Sequence, residues 1–177
     1  MKKIILQCAF LLTVLGYSQS TKELKTINKA AADITMEVDK FDDKTTWRSP
    51  YFGKGIAATT SKRVRFIKSK DKDGNYSIYL KLTAYGSTLN IGEKGFILLF
   101  EDGTKIERPN AEVDYKNDSG TAYWEYSIFE RITEEELDMF VTKKVDVFRL
   151  YIYEAKPITK KATLQVMGYA KGIKEAK

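Results

Sequence analysis

The chain has no histidine, one cysteine and three prolines. Without histidine, neither a Ser-His-Asp nor a Cys-His nucleophilic site can be assembled. Zinc sites of the usual His/Cys kind are excluded for the same reason. A single cysteine cannot close a disulfide within the chain, so stability has to come from burial. Long hydrophobic runs are scarce as well. The longest, Ile4 to Leu15, is broken only by Gln7 and Thr13, and it falls well short of the ~20 apolar residues that span a bilayer as a helix. No phosphate-binding glycine loop is present: Gly53-Lys54-Gly55 and Gly92-Glu93-Lys94-Gly95 lack the spacing and read as turns.

What is there begins with the first twenty residues. Lys2 and Lys3 precede the apolar run, and Gly16-Tyr17-Ser18-Gln19-Ser20 follows it. A positive start, a short apolar stretch and a small-residue exit are the anatomy of a secretory signal peptide. Gly16 and Ser18 place cleavage after Ser18, with Ser20 as the alternative. Cys8 lies inside the apolar run rather than after it, which argues against a lipidated cysteine. The expected organisation is a signal peptide at 1–18, a polar leader at 19–32 with one helical turn and no core of its own, and one domain at 33–177. The expected location is secreted or periplasmic, with no membrane span in the processed chain. That processed chain has no cysteine at all.

The formal charge is +6, and without Lys2 and Lys3 it is +4. The charges are interspersed. The densest basic stretch, Lys62-Arg63-Val64-Arg65 with Lys68 and Lys70, runs straight into Asp71 and Asp73. A nucleic-acid footprint needs a concentrated basic face, so no nucleic-acid partner is expected. Apolar residues make up 43% of the chain and aromatic residues 12%, a globular composition in a length that suits one core.

Short alternating segments separated by turns dominate the domain. Ile34, Met36 and Val38 alternate with Thr35, Glu37 and Asp39, the pattern of a half-buried strand. In Asn75 to Tyr85, Tyr76, Ile78, Leu80, Leu82 and Ala84 share one face. Phe96 to Phe100 is continuously apolar and reads as a central strand buried on both faces. Asp102-Gly103 signals a hairpin into Thr104 to Glu107, and Pro109 is expected to end that strand. Glu112 to Lys116 and Thr121 to Glu130 flank a second turn, Asn117 to Gly120. Trp124, Tyr126 and Ile128 should face the core, and Val145 to Tyr153 reads as one strand.

One helix is well marked near 133–143. Thr133 and Glu136 form a capping box, and Glu134 to Glu136 put negative charge at the positive end of the helix dipole. From Ile158 the pattern fits both an edge strand and an amphipathic helix. Gly168 and Gly172 weigh against the helix, which is still the slightly better fit. Strands in series, with turn signals every eight to twelve residues, predict a mainly all-β fold: an antiparallel β-sandwich with one short helix and a possible C-terminal helix.

Two stretches carry a likeness. They are Phe41-Asp42-Asp43-Lys44-Thr45-Thr46-Trp47-Arg48-Ser49-Pro50, and Ile132-Thr133-Glu134-Glu135-Glu136-Leu137 with Val147-Phe148-Arg149-Leu150-Tyr151. Together they resemble a loose group of uncharacterised secreted β-sandwich proteins from Bacteroidetes. The resemblance implies an exported sandwich and carries no activity or functional residue.

Few chemistries remain. Asp71-Lys72-Asp73-Gly74-Asn75 fails as a helix–loop–helix calcium site, since the sixth and twelfth positions are Tyr76 and Leu82. It reads as a hairpin turn, and no metal or cofactor is implied. Glu101, Glu107 and Glu125 are candidate carboxylates for glycoside hydrolysis, but nothing in the spacing pairs two of them. The stronger signal is an outward set of side chains on three strands: Tyr79, Lys81, Tyr85, Tyr123, Glu125, Arg149, Tyr151 and Tyr153. If those strands adjoin, they make an aromatic and charged face suited to a glycan or a protein. The expected function is a non-catalytic, exported binding module. The alternatives are a small carboxylate-based hydrolase and an assembly part whose sheet edge pairs with a neighbour.

Overall fold

The computed structural model describes residues 21–51, 63–117, 123–155 and 160–177. It is mainly β, with 48% of residues in strands and 26% in three helices, and its two antiparallel sheets do not close into a barrel. Helix α1 covers residues 21–31. Strands β1 (Thr35–Asp39), β2 (Lys44–Arg48), β3 (Arg63–Lys70), β4 (Tyr76–Gly86), β8 (Trp124–Ile132) and β7 (Asp114–Asn117) form the larger sheet, in that order across it. Strands β10 (Tyr153–Ala155), β9 (Val145–Leu150), β5 (Lys94–Phe100) and β6 (Lys105–Glu112) form the smaller one. Helix α2 (Glu134–Thr142) links β8 to β9, and α3 (Lys160–Glu175) follows β10. Among the described residues no helix is long and apolar enough to cross a membrane.

The core lies where the sheets face. Ile78, Leu80, Leu82 and Ala84 of β4 point inward with Val64 and Phe66 of β3 and Tyr126, Ile128 and Ile132 of β8. They join Phe96, Leu98 and Phe100 of β5 and Phe148 and Leu150 of β9 in one cluster. Each such side chain, fully buried, stabilises by about 1.5–3 kcal/mol. The capping box forms as the sequence requires: the Glu136 amide donates to Thr133 Oγ1 and the Thr133 amide to Glu136 Oε2, both at 3.1 Å. It sets α2 across one end of the sandwich. Phe140 then meets Phe66 of the larger sheet edge-on at 5.0 Å and Phe100 of the smaller at 5.3 Å.

The tail is helical, and its glycines are the reason it fits. Most of α3 is buried, including Ala162, Val166, Tyr169, Ala170 and Ile173. A β-carbon at Gly168 would lie 2.4 Å from the Ile27 carbonyl oxygen, and one at Gly172 would lie 2.4 Å from that of Ala31. The backbone of α1 thus rests directly on α3. The leader is accordingly helical from 21 to 31, well beyond the single turn expected, with Ala30 buried.

Several expectations need correction. Met36 and Val38 are exposed, not half-buried, because four strands cannot cover six; α3 packs over β3 and leaves β1 bare. Strand β6 continues through Pro109 to Glu112. A register shift between Lys94 and Phe96 accommodates the proline, and an edge strand loses no ladder bond to it. The segment Val145 to Tyr153 is two strands: Tyr151 and Ile152 turn the chain, and β10 pairs back on β9 from Tyr153 opposite Leu150. The first hairpin loop is Glu101 to Thr104, with Gly103 at φ +83°. There the Thr104 hydroxyl and then Lys143 hold the Asp102 carboxyl down to about 2.

The β3–β4 turn is as expected. Asp71 Oδ1 accepts the amides of Asp73 and Asn75 at 3.0 and 2.8 Å, and the Asn75 bonds lower its pKa. The second hairpin also forms, Asn117 pairing with Trp124. Its turn, the Gly53-Lys54-Gly55 loop and the signal segment lie outside the described residues.

Candidate functional site

The eight outward side chains do not form one face. Tyr79, Lys81, Tyr85 and Glu125 share the outer face of the larger sheet, where β4 and β8 are neighbours. Tyr79 stacks on Phe129 with ring centroids 4.8 Å apart and planes 9° from parallel. Glu125 is in the outward register, yet it is buried. It accepts the Tyr85 hydroxyl at 3.1 Å and pairs with Lys116 at 3.1 Å. Tyr123 precedes β8 and is exposed. Close by, the Thr83 hydroxyl is fully buried and has no hydrogen-bond partner among the described residues.

Tyr153 is half-buried and packs against the core. Once the chain has turned at 151–152, its ring stacks on Tyr126 at 4.1 Å, and its hydroxyl donates to the Thr88 carbonyl at 2.8 Å and accepts from Asn90 Nδ2. Burial, followed by the Tyr126 hydroxyl, pushes this phenol up to about 12. Gly86 makes the space: a β-carbon there would lie 2.1 Å from the Tyr153 ring.

Arg149 and Tyr151 remain, on the outer face of the smaller sheet. They line a cleft of about 220 Å³ together with Lys94, Gly95, Phe96, Ile97, Glu107 and Pro109. Register explains the grouping. Ile97 of β5 has Glu107 of β6 on one side and Arg149 of β9 on the other, so all three side chains stand on one face. Ile97, half-buried, is the floor. The irregularity at Lys94/Phe96 opens one end. Gly95 sits there at φ +96°, where a β-carbon would come within 3.0 Å of the Pro109 carbonyl oxygen.

Tyr151 forms a wall from a strained position. It has φ +52°, uncommon for any residue with a side chain. Its amide donates to the Gly95 carbonyl at 2.9 Å, which ties the β9–β10 turn to the bulge. Its phenol is raised by the charge of Glu93, with burial and a hydrogen bond to that carboxylate adding to it. Backbone strain of this kind gathers at functional sites. Glu107 is paired with Lys105 at 2.5 Å. The cleft therefore offers an apolar floor, an aromatic wall and the flat side of a proline, rimmed by a guanidinium, an ammonium and a carboxylate.

Sequence reasoning named Arg149, Tyr151 and Glu107 but missed Lys94, Ile97 and Pro109. A glycine and a proline inside strand-like segments were the available sign of a bulge.

A second cavity, of about 400 Å³, lies beside the start of α2. It is lined by Tyr76, Ile78, Arg131, Ile132, Thr133 and Glu134. Lys68 packs over the Tyr76 ring at 4.6 Å and donates to the Ala176 carbonyl at 2.7 Å. Its burial lowers its pKa. No family model, curated protein or solved structure matches the chain.

Proposed function

We propose that the chain is an exported, non-catalytic binding module that holds one sugar unit of an envelope glycan in the cleft over Ile97. The observation that carries this reading is the junction of Tyr151, Ile97 and Pro109 with Arg149 and Glu107 in one concavity. A pyranose ring presents apolar C–H patches and hydroxyls that both donate and accept. The cleft offers a counterpart to each: a ring and aliphatic surface for the patches, and charges of both signs for the hydroxyls. Its size supports a single unit. Sites that enclose a drug-sized ligand run to ~300–1,000 Å³, so this one suits one ring of a longer chain. The signal-like start and the resemblance to secreted sandwich proteins support export.

Hydrolysis is less well supported. Glycoside cleavage takes two carboxylates flanking the bond, and each described cavity is lined by one, Glu107 or Glu134.

The test is a glycan array carrying bacterial envelope oligosaccharides, read with the unsubstituted protein and with Arg149→Ala. The proposal expects a hit whose affinity falls at least about tenfold, or 1.4 kcal/mol, in the variant, with unchanged circular dichroism. An array without hits, or hits indifferent to Arg149→Ala, would overturn it.

A further inference from the structure

One end of the sandwich presents aliphatic side chains on two adjoining turns. The segment from β4 to β5 carries Leu89 and Ile91, 38% and 64% exposed, and the β9–β10 turn carries Ile152, 59% exposed. No charged residue lies between Gly86 and Gly92, or between Leu150 and Tyr153. The two turns are fastened to each other and to the core. The Thr88 carbonyl accepts the hydroxyls of Tyr126 and Tyr153 at 2.5 and 2.8 Å. The Asn90 amide donates to Tyr126 Oη at 3.0 Å, and the Asn90 side chain donates to Tyr153 Oη. The Tyr151 amide donates to the Gly95 carbonyl.

We infer that this end of the molecule docks on the surface of a lipid bilayer, with Leu89, Ile91 and Ile152 entering the acyl region. Hydrogen bonding favours lipid over a protein as the occupant. A loop that enters lipid must satisfy its own polar groups, and the Thr88 carbonyl, the Asn90 amide and the Asn90 side chain are spent inward on tyrosine hydroxyls. A protein interface draws on free polar groups at roughly one hydrogen bond per 100–200 Å².

The composition points the same way. Protein hot spots centre on Trp, Tyr and Arg, with Leu under-represented, whereas the most exposed side chains here are aliphatic. Tyrosines adjoin them, where lipid headgroups would lie. Tyr151 precedes Ile152, and Tyr123 precedes β8, whose Trp124 is paired with Gly86 at the start of the β4–β5 segment. Both tyrosines are 38% exposed. The charges that flank the two turns are Glu93, Lys94, Arg149 and Glu154, two of each sign. Apolar burial therefore drives the docking, and a zwitterionic surface suffices. Tyr151 is also a wall of the cleft, so docking sets the cleft at headgroup level.

The probe is a phosphatidylcholine vesicle, mixed with the chain processed after Ser18. Co-sedimentation should show binding that raised salt leaves unchanged. The double substitution Ile91→Ser, Ile152→Ser should weaken it at least about tenfold without altering the circular dichroism, since both side chains are exposed. Arg149→Ala should leave it intact, which separates lipid docking from glycan capture. The processed chain has no cysteine, so single labels report orientation. A polarity-sensitive dye on Ile91→Cys should shift to the blue with vesicles. The same dye on Asp73→Cys, in the turn before the far end of β4, should not.

No binding to these vesicles, binding undiminished in the double variant, or a blue shift at 73 without one at 91 would overturn the inference. So would a concentration-dependent dimer, seen by sedimentation, that the double variant dissolves; the patch would then belong to a second copy.

Discussion

Replacing Gly168 by alanine separates two opposed effects that a helical glycine can have. In a solvent-facing turn, Gly→Ala stabilises a helix by about 1 kcal/mol. At Gly168 the added carbon would sit 2.4 Å from the Ile27 carbonyl oxygen and 2.6 Å from the Ala30 β-carbon. The first of these is main chain, which cannot rotate away, so α1 must move. Overpacking of this sort costs typically about 1–3 kcal/mol. At the upper end, set against the propensity gain, the net loss is about 2 kcal/mol. For a domain of this size that lowers the melting temperature by roughly 4–8 °C.

Urea unfolding measures the loss, and amide exchange of residues 21–31 shows how it is taken. Helix α1 is shorter than the ~12–15 residues at which an isolated helix becomes even marginal in water. If Gly168→Ala pushes it off α3, it melts, and its amides exchange at the rate of an open chain. A variant more stable than the parent, with α1 still protected, would refute the close approach of the two helices.

Two further outcomes follow from single side chains. Thr83→Val removes a buried hydroxyl that has no partner among the described residues, so the urea midpoint should rise by an amount equivalent to about 1 kcal/mol; a fall would mean that the hydroxyl is bonded. Tyr153 has a phenol raised to about 12 in the folded protein, against ~10 for a free one. Its contribution is therefore complete below pH ~10 and is lost as pH rises from there through about 12. Tyrosinate absorbance should show a late-titrating phenol that disappears in Tyr153→Phe, and a tyrosine spectrum complete by pH ~10 would contradict its burial.

Alternation located β4, where Ile78, Leu80 and Leu82 repeat at the period of a sheet, and a continuous apolar run located β5, whose Ile97 and Leu99 are half-buried rather than buried as expected of a strand covered on both faces. Local chemistry located α2 just as directly, through Thr133 and Glu136. The readings that failed depended on partners distant in sequence. Met36 and Val38 alternate as a buried strand does, but what covers them is set by the width of the opposite sheet. Gly168 and Gly172 look like helix weaknesses until the backbone of α1 is seen against them. The turn at Tyr151-Ile152 has no Gly, Asn or Asp to announce it, so Arg149, Tyr151 and Tyr153 read as one face. That unannounced turn is why the candidate cleft was legible only in part: Arg149 and Tyr151 were named, and the bulge that completes the cavity was taken for the end of a strand.

The seating of α1 on α3 also sets an order of events. Lys171 reaches Asn28 across 143 positions of sequence, Nζ to Oδ1 at 2.8 Å, and the helix at 21–31 has no groove to lie in until residue 172 is in place. A chain leaving the ribosome or a translocation pore must carry that early segment unstructured while both sheets are made behind it. The segment is thus open to chaperones and proteases throughout synthesis, and it becomes protected only when the late helix winds up beneath it.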